Sequence, residues 1–164
     1  MMEPGLLLYQ IIAGVIAIGV VGGALLLAKS KWMRPHVPLE PVTTQANTAL
    51  FRAPAGLCRV VVLRDTRLSD GLSIYTIGID GRLAGATAPG TYLVLDLHPG
   101  HHVLTAAILS GMDACDLDLR EGEVAFVEHK LRHGLGLSGV RHRRLDDQDG
   151  QRLALRSRQA RAFV

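Results

Sequence analysis

The 164-residue chain has little of what usually marks chemistry. Its two cysteines, Cys58 and Cys115, stand in neither a C-x-x-C pair nor a Cys/His ligand spacing, so a cysteine-built metal site is excluded. They remain either two buried thiols or, in an exported domain, one disulfide. Aromatics make up 4 % of the residues, and Phe163 stands alone among the C-terminal arginines. Nucleic acid is excluded as a partner on that ground, because single strands are held by aromatics interleaved with cations. Net charge is +3, too small for a strongly basic surface, and it is unevenly placed. Val140 to Val164 holds seven Arg against three Asp, a net of +4, which leaves the rest close to neutral. A cleaved leader is not expected: Glu3 stands where a positive n-region belongs, no A-x-A site follows, and no cysteine is placed for lipid attachment.

What the chain does have is one long apolar run, Gly5 to Ala28, in which Gln10 is the one clearly polar side chain. As a helix it would reach roughly 35 Å, enough to cross a hydrocarbon core of ~30 Å. Lys29, Lys31, Trp32 and Arg34 follow as a membrane-interface collar. The positive-inside rule places the N-terminus outside and the following domain in the cytoplasm of a bacterial inner membrane; export of the domain to the periplasm is the alternative. Gly19 and Gly23 form a G-x-x-x-G with Ala13 and Ala17 nearby, a small-residue stripe that admits a second helix.

The chain thus divides into a short tail (1–4), the apolar span (5–28), a collar and proline-rich linker (29–56), a β domain (57–145) and an Arg-rich C-terminal helix or tail (146–164). Period-two alternation predicts strands at Cys58 to Arg64, Ser73 to Ile79, Arg82 to Ala86, Thr91 to Leu97, His101 to Ile108, Cys115 to Leu119 and Val124 to Leu131. Asp80-Gly81 suits a two-residue hairpin, and Pro89-Gly90, His98-Pro99-Gly100 and Glu121-Gly122 mark further turns. Short strands at this spacing predict an antiparallel β-sandwich or open barrel. Asp149 is expected to cap a helix from about Gly150 to Ala162.

The stretch Ile77 to Ala106 combines a strand, the Asp80-Gly81 hairpin, and Gly90, Tyr92, Pro99-Gly100 and His102 in a G-x-Y-x6-P-G-x-H pattern. It resembles PEGA-type domains and a lipoprotein-borne β-domain family of bacterial envelope proteins. The resemblance implies a small antiparallel sandwich used as a surface or adaptor module, without catalysis. This chain departs from the lipoprotein relatives in lacking a lipidated cysteine.

Candidate chemistry is sparse. His98, His101 and His102 cluster at one turn, and His129 with His133 spell H-x-x-x-H. His129 lies in an expected strand, where i and i+4 side chains stand too far apart to share an ion. Gly134, Gly136 and Gly139 spell G-x-G-x-x-G, but a dinucleotide site needs a parallel strand before it and a helix after it, so a glycine-rich loop is expected. Ser138 lies in G-L-S-G, which is no nucleophile elbow. Asp116, Asp118, Glu121 and Glu123 fall on a solvated strand face and turn. No catalytic, cofactor-binding or metal residue is therefore assigned. Arg141, Arg143, Arg144, Arg152, Arg156, Arg158 and Arg161 are the charge feature with functional content, suited to anionic lipid headgroups or acidic loops of a partner. The expected protein is a non-enzymatic accessory subunit packed against other membrane-protein subunits; an envelope-side module holding a ligand, peptide or polymer is the alternative.

Overall fold

The structure, a computed structural model, describes residues 37–39, 50–66, 73–108, 111–132 and 139–163. All lie in the second of two units of the chain, Pro35–Val164. They form nine strands and one helix: β1 (Cys58–Arg64), β2 (Tyr75–Ile79), β3 (Arg82–Thr87), β4 (Thr91–Leu97), β5 (Gly100–Ile108), β6 (Gly111–Leu119), β7 (Val124–Arg132), β8 (Gly139–Leu145), α1 (Asp147–Leu155) and β9 (Arg158–Gln159). A five-stranded sheet in the order β8-β7-β1-β4-β9 faces a four-stranded sheet in the order β3-β2-β5-β6. The pairs β1–β7 and β4–β9 are parallel and the others antiparallel. β6 runs beside β8, and β3 beside β4, so the sheets approach each other along both sides.

The expected fold class, a membrane-spanning helix ahead of a mainly β domain, requires correction. The described residues are mainly β, and no helix among them is long and apolar enough to cross a membrane. The nine residues of α1 reach about 13 Å, under half of a hydrocarbon core. Gly5 to Ala28 lies outside the described residues, as do Ala13, Ala17, Gly19, Gly23, Lys29, Lys31, Trp32 and Arg34.

Burial explains the strand sequences. Between the sheets, Val60, Val62, Leu93, Leu95, Ala125 and Val127 from one side meet Tyr75, Ile77, Leu104, Ala106, Leu117 and Leu119 from the other. A second apolar layer covers the opposite face of the five-stranded sheet, where Leu50 and Ala154 pack with Val61, Leu63, Tyr92, Phe126 and Leu145. β1 is therefore buried on both faces, and Val60 to Leu63 form a continuous apolar run. α1 lies close to β7 because Gly150 has no side chain: a Cβ there would overlap the Phe126 ring.

The helix lies earlier than expected. Asp146 is the N-cap, its side chain accepting from the Asp149 amide, and the helix ends at Leu155. The residues read as its second half leave the helix and strap the sheets together. Arg158 N donates to Gly90 O at 2.9 Å, Ala160 N to Tyr92 O at 2.7 Å, Arg161 N to Pro38 O at 2.8 Å and Phe163 N to Ala84 O at 2.9 Å. Val37 is buried in the core and Leu39 bridges Ala160, so the packed domain takes in part of the proline-rich stretch.

Candidate functional site

The histidines read from the sequence separate into different environments. The Asp80-Gly81 turn has φ of 51° and 76°, the two positive values a tight hairpin needs. Asp80 also ties this turn to β5. Its Oδ1 accepts from Val103 N at 2.9 Å, and its Oδ2 lies 2.7 Å from His102 Nδ1. His102 Nε2 lies 2.7 Å from the His98 carbonyl oxygen. Both partners are acceptors, so the imidazolium, with hydrogen on both ring nitrogens, is the form that bonds them both. Burial works against that charge, but the bonds to Asp80 and His98 and the Asp80 charge outweigh it, and the His102 pKa rises. The bond from His102, then that from Val103, holds the Asp80 carboxyl below its usual range. His101 points away, between Asp116 at 3.4 Å and Asp118 at 3.1 Å. The three histidines at this turn do not converge on one point.

A polar cluster that sequence reasoning missed lies between the sheets. His129 on β7 and His142 on β8 are direct cross-strand partners. His142 Nδ1 and His129 Nε2 are 3.0 Å apart, with the rings nearly perpendicular at 87°. His129 has 0 % exposure, and its ring lies 6.5 Å from that of Tyr75. The Arg64 guanidinium lies 3.7 Å over the Tyr75 ring, and its Nη1 donates to the Ser73 and Thr87 carbonyls. Burial, with His142 and Arg64 close by, pulls the His129 pKa down to about 3. Burial also lowers the pKa of His142, against the Asp113 backbone carbonyl and carboxylate nearby, which favour its charge. A sequence signal existed: in Val140 to Leu145, Val140 and His142 alternate with Arg141 and Arg143, and β8 follows β7 as a hairpin. His133, Gly134, Gly136 and Ser138 lie outside the described residues, and Gly139 opens β8.

The seven arginines do not form one tail. Arg141 and Arg143 share the face of the five-stranded sheet on which Leu145 packs with α1, together with Lys130 of β7. Arg143 lies 3.1 Å and Lys130 3.2 Å from the carboxylate of buried Glu128. Arg144, on the alternate side of β8, bonds Glu123. Arg152 of α1 lies 3.2 Å from Asp149, and Arg156 is its C-cap. Arg158 and Arg161 belong to the closing strap. Beside α1, a cleft of about 400 Å³ is lined by residues including Phe51, Phe126, Arg144 and Gln151. Cys58 and Cys115 are both free thiols, raised in pKa by burial above all. Among the described residues, no three of His, Cys, Asp and Glu are grouped to hold a metal ion. Compared with protein-family models, curated proteins and solved structures, the chain matches none.

Proposed function

We propose that this chain is a non-enzymatic accessory subunit, a β-sandwich-like module that stabilises a larger membrane complex by docking on a partner. The observation carrying this reading is the placement of Lys130, Arg141 and Arg143 on the side of the five-stranded sheet that also bears α1, with Arg152 and Arg156. Glu128 and Asp149 pair with three of these cations, while Arg141 and Arg156 have no carboxylate partner among the described residues. Such a face suits acidic loops of a neighbouring subunit or anionic headgroups, at ~1 kcal/mol per cation near a charged bilayer. The apolar composition of residues 5–28, followed by Lys29, Lys31 and Arg34, supports a place at the cytoplasmic side of a membrane. The resemblance of Ile77 to Ala106 to adaptor-type β domains supports a binding role over a catalytic one.

Purification of the tagged full chain in mild detergent, with stoichiometry measured for every co-purifying polypeptide, tests the proposal. A fixed-ratio set of membrane subunits is expected, and Arg141→Glu with Arg156→Glu should release it. Recovery of the chain alone would overturn the proposal. The cleft beside α1 favours a second reading, a module that holds a small ligand or peptide. That reading requires thermal stabilisation by a ligand, lost on Gln151→Trp.

A further inference from the structure

On the outer face of the β7–β8 ladder, two cations stand directly opposite each other. Lys130 and Arg141 are cross-strand partners, and Arg143 is the partner of Glu128 one step along the same face. Opposed side chains of an antiparallel ladder have Cβ atoms only about 4.5–5.5 Å apart, where like charges oppose pairing. Glu128 does not cancel this repulsion. It is buried, and its Oε2 lies 3.2 Å from Lys130 Nζ and 3.1 Å from Arg143 Nε, so one carboxylate is divided between two cations. Asp65, just past the end of β1, turns its Oδ1 to the Thr66 amide at 2.7 Å. Arg141 pairs with no carboxylate among the described residues. Three cations against one carboxylate leave this cluster a net charge of +2.

We propose that Lys130, Arg141 and Arg143 form a binding site for a phosphoryl group, with Glu128 as its positioning residue. The site deepens the docking reading of this face and rests on it, naming the chemical group that is recognised there. Arg141 and Arg143 are two residues apart on one strand, roughly 7 Å along it, and Lys130 faces Arg141 from the other. The cations therefore approach a ligand between them from three directions. A phosphate monoester offers three acceptor oxygens, one for each cation, and its charge of about −1.5 to −2 matches the excess. A carboxylate has two oxygens and a single charge, and Glu128 already supplies one.

Glu128 also prepares the donors. It takes Arg143 through Nε, which leaves the Nη groups of that exposed guanidinium for phosphate oxygens. It draws Lys130 along β7 and away from Arg141, whose own guanidinium stays exposed. An anion seated between Lys130 and Arg141 would turn their repulsion into two attractions.

The test is a titration of the full chain in mild detergent with inorganic phosphate, chloride keeping the ionic strength constant. Saturating shifts of β7 and β8 amides are expected, with a melting temperature that climbs with the logarithm of phosphate concentration. Micelles doped with phosphatidic acid form a second arm. Saturation in that arm alone assigns the group to a lipid headgroup, and saturation with inorganic phosphate alone assigns it to a free ligand. Arg141→Gln should weaken binding at least about tenfold. Arg82→Gln, at an exposed cation of the other sheet, should leave it unchanged. Without phosphate, Arg141→Glu should melt higher than the wild type, because Lys130 then faces a carboxylate.

The site would be overturned by saturation in neither arm, by saturation with a glutamate-rich peptide alone, by an undiminished response in Arg141→Gln, or by an Arg141→Glu that melts no higher. Co-purification is a separate result. Subunits retained without a phosphate response strike this inference alone, and a phosphate response without subunits strikes the accessory-subunit reading alone.

Discussion

His102 sets both ring nitrogens against acceptors, Asp80 and the His98 carbonyl, in a site with 12 % side-chain exposure, so its protonated form holds the Asp80 turn best. Its folded pKa is raised above 6.5, so its contribution to stability is complete below that value and is lost as pH rises through the folded value. Melting temperature should therefore fall as pH rises above about 6.5, and His102→Gln should flatten this limb in a circular-dichroism melt. Asp80 works at the other end, its contribution disappearing as pH drops through a folded pKa below 3.8. His129 has the opposite sign to His102. With its folded pKa near 3, a cost appears once pH falls under 6.5 and grows until about 3. Urea unfolding should show stability declining from near pH 6.5 to pH 4.5, and His129→Phe should reduce that slope, leaving the part due to His142, while costing about 1–3 kcal/mol at neutral pH. The role of His102 was half visible, because P-G-x-H places an imidazole beside turn carbonyls. That of His129 was hidden: its partner lies in a stretch that reads, from its glycines and arginines, as loop.

Among the elements, α1 shows how three aspartates can mislead. Asp146, Asp147 and Asp149 are all plausible caps in sequence, yet Asp146 is the one whose side chain reaches the Asp149 amide. Asp147 and Asp149 then occupy the first turn, where the helix dipole favours them. Loss of this cap in Asp146→Ala should cost about 1 kcal/mol in denaturant unfolding. Gly150→Ala is the sharper test. Helix propensity alone favours alanine by about 1 kcal/mol, but the added carbon would overlap Phe126 and should destabilise by about 1–3 kcal/mol. The helix stops at Leu155 because the following residues find backbone partners on β4, a tertiary preference that helical periodicity cannot reveal. β8 was missed for a related reason. Its outward arginines mask an alternation whose inward members are Val140 and His142.

In the whole domain, three layers account for the burial of β1 on both faces. Most strand positions were legible from alternation and turn residues, but the parallel β1–β7 pair was not, since nothing local in either strand specifies a partner some sixty residues away. The strap from Arg158 to Phe163 joins β4, Pro38 and β3, and so covers edges from both sheets. Truncation after Ser157 should bare those edges, lowering the melting temperature and producing concentration-dependent association in light scattering. The strap also sets a clock. Of the described elements it is the last to be synthesised, about 100 residues after β1 begins. At roughly 5–20 residues per second, the interval between the central strand and its closure is on the order of 5–20 s. During that time the β4 and β3 edges that the strap will cover stay open to pairing in a crowded cell. The yield of folded protein should thus depend on translation speed and on holding chaperones, as well as on final stability.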